Sequence, residues 1–351
     1  MGIIWINKKF AILCFTYSLI YYITKYMKDI ILSGLRPTGR LHIGNYLGSL
    51  KNFLKLQDQY ECYFFIADLH SLNEPFDPKT KYSQIMDLAA DYIALGIDPK
   101  KCVIFAQSHV HEHSEFAVIL SNIIPVPYLF RMTQYKDKSE DKTRESVNAG
   151  LLYYPVLMAS DILMYKSTLV PVGQDQTQHV ELARDVALMF NKNFGETFPL
   201  PKSLYTESSK IMSLLLPDKK MSKSLGDAHC IYIDDDPKDI EKKLARAVTD
   251  TGSGKSSGAK NLLDLVKIFG KPDVYNTFLS DKSLGIVKYS EVKKVLSRDI
   301  AEYFADFRKK KKKLMENPKH LEDILERGAK IARLIAQNTM EEVKKKVGLT
   351  R

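Results

Sequence analysis

The chain has 351 residues, of which 45% are hydrophobic and 27% are charged, an ordinary composition for a soluble globular protein with one large core and a smaller unit. Its 52 basic and 42 acidic side chains leave a formal net charge of +10, which favours a polyanionic partner such as nucleic acid. The four cysteines lie far apart without a C-x-x-C pair, which argues against a zinc site and a disulfide scaffold and indicates a reducing, cytoplasmic setting.

The first 26 residues contain a mostly apolar run, Phe10 to Ile23, behind a basic start. The run is short for a membrane-spanning helix and has no small-residue cleavage site, and an organelle-targeting segment is usually richer in Arg and Ser. We therefore favour a start codon placed too early, with Met27 as the true initiator. A signal peptide, a membrane anchor and a targeting segment remain as alternatives. We predict that residues 1–27 are an extension that the fold does not require, without stable membrane association.

From Asp29 onward, short apolar runs alternate with stretches of helical periodicity. The runs DIILSG, CYFFIADLH and CVIFAQ are typical of buried strands, and residues 79–95 and 179–190 carry apolar side chains at helical spacing. This alternation predicts an α/β fold, with a Rossmann-like, doubly wound parallel sheet over residues 28–215.

Beyond about residue 236 the patterns are helical, which predicts a smaller all-helical domain over residues 237–351 after a connection at 216–236. The last helix is a candidate to pack back on the sheet domain. One apolar face is expected from Ile300, Tyr303, Phe304, Phe307, Leu314 and Met315. The basic run 308–313 is therefore expected mainly to face solvent, with contact to an RNA backbone as the alternative.

The segment TGSGKSSG, residues 251–258, resembles a phosphate-binding P-loop at first sight. The P-loop pattern requires a glycine where Thr249 stands, and a strand where the preceding residues have a helical pattern. We predict that this segment is a linker.

A glycine-bearing segment, SGLRPTGRLHIGNYLGSL, follows the first predicted strand. Its glycines permit close approach of the backbone to a ligand. A helix that begins near His42 is expected to present free N–H groups and the positive end of its dipole, which favours phosphate binding.

The lysine loop, DKKMSKSLGD at residues 218–227, is the second candidate phosphate site. It places Lys220 and Lys223 close to Ser222 and Ser224, ahead of a possible hinge at Gly226. Two ammonium groups and two hydroxyls can close over a polyphosphate, whose charge is spread over many oxygens. We expect the two phosphate-binding segments to meet at the carboxyl edge of the sheet.

Four motifs in order carry a resemblance to a known family. HIGN and KMSKS resemble the signatures of class I aminoacyl-tRNA synthetases, and LLYYPVLMASDIL and VPVGQDQTQHVELARDVA are similar to the bacterial tryptophanyl-tRNA synthetase family. The resemblance extends from about residue 28 to the C terminus. It implies ATP- and Mg²⁺-dependent activation of L-tryptophan to tryptophanyl-adenylate, transfer to tRNA(Trp) with release of AMP and pyrophosphate, and a cytoplasmic homodimer.

The resemblance also implies the site residues. The implied ATP-binding residues are Arg36, Pro37, Thr38, His42, Gly44, Asn45, Gly173, Gln174, Asp175, Ile211, Lys220, Met221, Ser222, Lys223 and Ser224. The implied tryptophan-binding residues are Tyr154, Met158, Asp161, Ile162, Val170, Val172 and Gln176, with Asp161 accepting the indole N–H. Lys220, Lys223 and Lys138 are the implied catalytic residues, and no side-chain metal ligands are implied. Arg36 stands where several bacterial relatives have Gln.

Two other functions remain as alternatives. Tyrosyl-tRNA synthetases share the fold and both signatures, but they usually have a glutamine at the position of Met158. The second is a non-catalytic RNA-binding paralogue, in which Lys220, Lys223 and Asp175 would be free to change. Because the motifs that contain these residues are intact, this alternative is disfavoured.

Overall fold

The computed structural model describes residues 28–140, 148–205, 210–250 and 255–351, and it leaves the side chains of residues 137–140 and 175 undescribed. The predicted N-terminal extension with Met27 lies outside the described residues, as do positions 251–254 of the predicted linker. Among the helices in the described ranges, none is long and apolar enough to cross a membrane.

Five parallel strands form one sheet in the order β3-β2-β1-β4-β5. They are β1 (Ile30–Leu35), β2 (Glu61–Ile66), β3 (Cys102–Ala106), β4 (Leu169–Val172) and β5 (Lys202–Tyr205). The predicted α/β fold is confirmed, and the three strands predicted from apolar runs are β1 to β3. The strand order reverses between β1 and β4, which creates a crevice at the carboxyl edge of the sheet.

Helices connect the strands. They are α1 (Ile43–Asn45), which continues through a π-helical turn (Tyr46–Leu50) into α2 (Lys51–Leu56), then α3 (Pro78–Leu95), α4 (Glu112–Ser121), α5 (Val126–Phe130), α6 (Thr133–Glu140), α7 (Ala149–Met164) and α8 (Thr177–Phe194). The two predicted helices correspond to α3 and α8. α3 begins where the Asp77 carboxylate accepts the N–H of Lys79 and ends at Gly96, whose φ of 109° favours glycine.

Six helices follow the sheet. They are α9 (Pro237–Ala245), α10 (Ser257–Phe269), α11 (Pro272–Leu284), α12 (Tyr289–Tyr303), α13 (Ala305–Met315) and α14 (Pro318–Lys346). Of the apolar face predicted across residues 300–315, Ile300, Phe304 and Phe307 are buried in one cluster, and Leu314 packs against it. The prediction is wrong for Tyr303 and Met315, which are exposed by 44% and 39%, and the chain turns at Phe304 between α12 and α13.

Apolar side chains cover both faces of the sheet. One cluster joins the strands and α3 to helices α9 to α13, and it includes the fully buried Ile31, Phe64 and Ile300. The other cluster joins the opposite face to α4, α7, α8 and α14. α14 lies so close to β3 that a Cβ atom at Gly328 would clash with the backbone oxygen of Ile104. The last helix thus packs on the sheet itself.

Candidate functional site

A cavity of about 490 Å³ opens at the crevice between β1 and β4. Its walls come from the carboxyl ends of these two strands, from one face of α7, and from the short helical turn His70–Asn73 that follows β2. The cavity therefore lies where parallel α/β sheets usually bind ligands. Its size is that of a small-molecule site.

Every residue predicted for the tryptophan site lines this cavity. They are Tyr154, Met158, Asp161, Ile162, Val170, Val172 and Gln176. The four on α7 follow one another at helical spacing and share one face of the helix, and the two valines alternate on β4 and share one face of the strand. Together these side chains form apolar walls around one buried carboxylate, a lining suited to an aromatic ligand with one polar group.

The Asp161 carboxylate is surrounded by hydrogen-bond donors. His113 Nδ1 lies 2.5 Å from Oδ1, His70 Nε2 lies 2.8 Å from Oδ2, and the Gln107 amide donates to both oxygens at 2.8 and 3.0 Å. Burial alone would raise the pKa of Asp161, but the hydrogen bonds from the two histidines lower it to about 2. The buried carboxylate is therefore ionised at neutral pH.

The loop between β1 and α1 is held by its own polar groups. His42 caps α1, with Nδ1 accepting the N–H of Asn45 at 3.3 Å, while the Asn45 amide oxygen accepts the N–H of His42 at 3.2 Å. The N–H of Ile43 donates to Ile231. The expectation of free N–H groups at this helix start is therefore wrong for Ile43 and Asn45, because a histidine and a neighbouring segment already accept them.

Two further contacts describe the predicted nucleotide residues in this region. Arg36 lines the cavity and forms an exposed ion pair of 2.9 Å with Glu74, a partner that the sequence did not indicate. Gly44 packs against the ring of His42, where a Cβ atom would crowd it, and it faces Ile211. Arg36 therefore lies at the cavity, and Gly44 lies next to Ile211 beside the His42 ring.

The lysine loop touches the loop after β1. The Lys223 ammonium donates to the carbonyl and the hydroxyl of Thr38, both at 3.1 Å, and to the carbonyl of Gly39 at 3.3 Å. A short antiparallel pairing supports the loop, since the N–H of Met221 donates to Ile211 at 2.9 Å. The two phosphate-binding segments predicted from sequence are therefore in contact.

The remaining predicted residues differ in their surroundings. The Met221 side chain is buried in the core, Lys220 and Gln174 are exposed, and the hydroxyls of Ser222 and Ser224 bond to each other at 2.9 Å. Gly173 lines the cavity, and Pro37 accepts a hydrogen bond from Lys81 at 3.4 Å. The side chains of Lys138 and Asp175 lie outside the description of the structure.

Comparisons with known proteins identify the family of the chain. A model of the family "tRNA synthetases class I (W and Y)" matches residues 27–327. The tryptophan–tRNA ligase of Caldanaerobacter subterraneus subsp. tengcongensis is 43% identical over 91% of this chain and 98% of its own length. That of Clostridium acetobutylicum is also 43% identical, over 92% of this chain and 97% of its own length. The chain belongs to the bacterial tryptophanyl-tRNA synthetase family.

Solved structures of the family share the fold of this synthetase chain. The tryptophanyl-tRNA synthetase from Campylobacter jejuni, complexed with ADP and tryptophan, has a TM-score of 0.82 at 36% identity and covers 91% of this chain and 99% of its own. The enzyme from Mycoplasma pneumoniae has a TM-score of 0.80 at 32% identity, with 92% and 99% covered. A tyrosyl-tRNA synthetase from Archaeoglobus fulgidus has a TM-score of 0.64 at 20% identity, over 82% of this chain and 92% of its own, which shows a common fold alone.

The sequence patterns did not predict the three donors around Asp161. His70 and Gln107 follow the ends of the buried strands β2 and β3. Polar residues in this position often reach a ligand site, so their place in the sequence could have indicated them. His113 lies on α4 and is fully buried, and no pattern in the sequence distinguishes it from an ordinary core histidine.

Proposed function

We propose that this synthetase activates L-tryptophan with ATP and transfers it to tRNA(Trp), releasing AMP and pyrophosphate. The observation that carries the proposal is the cavity, where the residues assigned to tryptophan surround an ionised carboxylate. An indole N–H is a donor and never an acceptor, so an ionised Asp161 is a suitable partner for it. The two ligases at 43% identity and the related structure that holds ADP and tryptophan support the same substrates.

In the activation step, the tryptophan carboxylate attacks the α-phosphorus of ATP. A new carboxylate–phosphorus bond forms as the bond to the bridging oxygen breaks and pyrophosphate leaves. The attacking group is already anionic, so no general base is needed, and the protein must instead stabilise charge on the phosphoryl oxygens. We assign this role to Lys223 and Lys220, with Lys138 meeting the triphosphate before the loop closes.

Mg²⁺ fits this proposal as part of the ATP substrate. Within the described part of the chain, no three His, Cys, Asp or Glu side chains come together as metal ligands. Mg²⁺ in nucleotide sites is commonly held by substrate phosphates and water, so it would arrive with ATP and reduce the phosphate charge.

The contacts of Lys223 suggest how the lysine loop acts. Its ammonium donates to acceptors on Thr38 and Gly39, and burial lowers the pKa of this ammonium. Phosphate oxygens of ATP would offer stronger, charged acceptors at the same position. We therefore propose that ATP binding transfers Lys223 from these neutral acceptors to the triphosphate.

The charging step requires tRNA and, in our proposal, a second copy of the chain. Val118 of α4 and Val126 and Phe130 of α5 are exposed by 59%, 53% and 47%, which favours an apolar contact with a partner subunit. We propose a cytoplasmic homodimer in which the catalytic domain, residues 28–215, charges the acceptor end and residues 237–351 bind the anticodon side. Sedimentation velocity tests this, and a monomer that charges tRNA at full rate would contradict it.

An ATP–pyrophosphate exchange assay with each of the twenty amino acids tests the activation step. We expect exchange with tryptophan well above that with tyrosine or phenylalanine, followed by charging of tRNA(Trp) in the presence of tRNA. Preference for tyrosine would favour the tyrosyl alternative. Absence of exchange with every amino acid, in protein that still binds tRNA, would favour the non-catalytic paralogue.

A further inference from the structure

The ionised Asp161 needs a fixed orientation if one of its oxygens is to accept an indole N–H. A carboxylate has about four acceptor positions, two on each oxygen. His113 and Gln107 occupy Oδ1 at 2.5 and 2.8 Å, whereas Oδ2 receives His70 at 2.8 Å and the longer, shared contact of Gln107 at 3.0 Å. Oδ1 is therefore used for holding the side chain, and Oδ2 is the oxygen whose second contact, the long one that it shares with Oδ1, a ligand N–H can replace.

Burial distinguishes the same two oxygens. His113 and Gln107 are completely buried and do not line the cavity, while His70 lines it and remains 9% exposed. Oδ1 thus faces the protein interior, and Oδ2 lies on the side from which a bound ring would approach. The donors on Oδ1 determine where Oδ2 points.

The hydrogen bond from His113 depends on its tautomer. An ionised carboxylate only accepts hydrogen bonds, so Nδ1 of His113 must carry the proton that lies toward Asp161. In a neutral imidazole, Nε2 is then an acceptor and needs a donor of its own. The Tyr165 hydroxyl lies 2.8 Å from Nε2 and can provide that donor.

Tyr165 is suited to remain a donor. It is 1% exposed and follows the last residue of α7, one helical turn after Asp161, so its hydroxyl and the carboxylate bracket the His113 ring. Burial, followed by the nearby charge of Asp161, raises the pKa of this hydroxyl far above its usual range. The phenol therefore keeps its proton at any pH at which the protein functions.

We propose that Tyr165 is a positioning residue for amino-acid selection, because its hydroxyl donates to Nε2 of His113 and so holds the ring in the orientation that aims Asp161 at the indole N–H. The inference rests on the proposed function and extends it to residues that do not touch the substrate. Without the hydroxyl, Nε2 of His113 has no donor, and the ring loses the contact that holds its orientation. The hydrogen bond from Nδ1 to Asp161 would then weaken, and the carboxylate would be held less firmly toward the cavity.

The test compares two Tyr→Phe variants in the same core. The ring of Tyr63 stacks on the ring of Tyr165, with centroids 5.0 Å apart, and it is similarly buried, but its hydroxyl donates to Glu61 at 2.7 Å. In pyrophosphate exchange, Tyr165→Phe should lower the kcat/KM ratio for tryptophan over phenylalanine about tenfold, as expected for loss of a hydrogen bond to a charged group. KM for ATP should not change. Tyr63→Phe should retain the wild-type ratio.

A second variant tests whether Tyr165 acts through the hydrogen bonds from Tyr165 to His113 and from His113 to Asp161, or only through packing. His113→Asn protein already lacks these hydrogen bonds, so adding Tyr165→Phe should change the tryptophan-to-phenylalanine ratio less than about twofold. An equal loss in the wild-type and His113→Asn backgrounds would overturn the proposal, as would an unchanged ratio in Tyr165→Phe protein.

Nitrogen-15 NMR of the histidine rings gives a readout that does not depend on activity. In wild-type protein the His113 ring should carry its proton on Nδ1 and Nε2 should show the chemical shift of a hydrogen-bonded acceptor, whereas in Tyr165→Phe protein the Nε2 signal should shift toward that of an acceptor without a donor. A proton on Nε2 in the wild type would overturn the proposal even if Tyr165→Phe protein does not fold. Absence of tryptophan exchange in the wild type would instead contradict the proposed function.

Discussion

Asp161 carries a full charge in the interior only because three donors surround it. A buried carboxylate without partners would take up a proton, since desolvation penalises the charged form. Here the histidine hydrogen bonds outweigh desolvation, and the pKa falls to about 2. The negative charge that Asp161 places in the cavity is therefore a property of neighbours on three other segments.

Replacing Asp161 by asparagine should remove selection of the indole ring. The Asp161→Asn amide would present an N–H₂ group toward the donors His70, His113 and Gln107, which costs about 1–3 kcal/mol of unfolding free energy. Pyrophosphate exchange should show loss of discrimination between tryptophan and phenylalanine, with KM for ATP retained. Asp68→Asn is the matched control, since Asp68 is also buried and accepts from Ser108 but does not line the cavity. An unchanged specificity ratio in Asp161→Asn protein would show that the indole is recognised elsewhere.

His42 should make the protein less stable as the pH falls. Burial, together with the charges of Lys223 and Lys220, lowers its pKa from 6.5 to about 4. Between these values the unfolded chain binds a proton that the folded protein excludes, so stability is complete above about pH 6.5 and is lost as the pH falls toward 4.

His42→Asn tests this pH dependence while retaining a residue that can cap α1. The free energy of unfolding, measured in urea at pH 7 and at pH 4.5, should fall between these pH values in both proteins. The fall should be larger in the wild type than in His42→Asn protein, by roughly 2–3 kcal/mol. Other groups titrate in both proteins, so the difference reports His42. Parallel stability curves would contradict the assignment.

At the scale of elements, the lysine loop and the loop after β1 act as a pair. Lys223 is half-buried against Thr38 and Gly39, whereas Lys219 of the same loop is exposed. If Lys223 stabilises the transition state, Lys223→Ala should slow adenylate formation about 10²-fold or more, with little change in tryptophan affinity. Rapid-quench measurements of adenylate formation test this. Lys219→Ala should behave like the wild type, and an equal effect of Lys223→Ala on rate and affinity would indicate a binding role only.

The contact between α14 and β3 requires a residue without a side chain. A Cβ atom at Gly328 would overlap the carbonyl of Ile104 on β3. The backbone of β3 cannot move aside easily, because it is packed in the core and paired with β2. Gly328→Ala should therefore destabilise the protein by about 1–3 kcal/mol or more in denaturant unfolding. Gly48, in a helical turn with open space around it, is the control, and Gly48→Ala should be neutral or stabilising by up to about 1 kcal/mol. Equal stability of the two variants would show that α14 can move away from the sheet.

At the scale of the whole molecule, one buried lysine joins three parts of the chain. Lys311 of α13 lies 2.8 Å from Asp87 and Asp91 of α3, and 3.1 Å from Asp234 in the connection that follows the lysine loop. The expectation that the basic run mainly faces solvent is confirmed for Lys309, Lys310, Lys312 and Lys313. Lys311 is the exception, because three carboxylates stabilise its charge inside the fold. Burial opposes this charge, but the carboxylates raise the pKa of Lys311 above its ordinary value.

Removing that lysine should weaken the attachment of the helices to the sheet. Lys311→Met would leave buried carboxylates without their cation, at a cost of about 3–5 kcal/mol of unfolding free energy. Lys310→Met changes the neighbouring, exposed residue of the same run and should alter stability by less than about 0.5 kcal/mol. Thermal and urea unfolding of both variants test this. Similar stabilities would mean that the ion pairs of Lys311 add nothing to the free energy of unfolding.

The sequence by itself determined the fold class, part of the elements and the family to which the site motifs point. Short apolar runs and helical periodicity, which arise from the local geometry of buried strands and helices, predicted three strands and the helices α3 and α8. The seven residues that motif resemblance assigned to tryptophan all line the cavity, but other lining residues, such as His70 and Phe65, were not named. These features were accessible because each depends on residues close together in the chain.

Only the tertiary structure decided which distant polar groups meet. His70, Gln107, His113 and Tyr165 surround or support Asp161, and Lys311 finds its carboxylates, through packing of separate elements. Nothing in the local pattern of a lysine-rich helix shows that one lysine is buried, or which tautomer a core histidine adopts. Burial, pKa and hydrogen-bond partners are set by the contacts of the folded chain, so they follow from the packing of the sheet and its helices and not from any single segment.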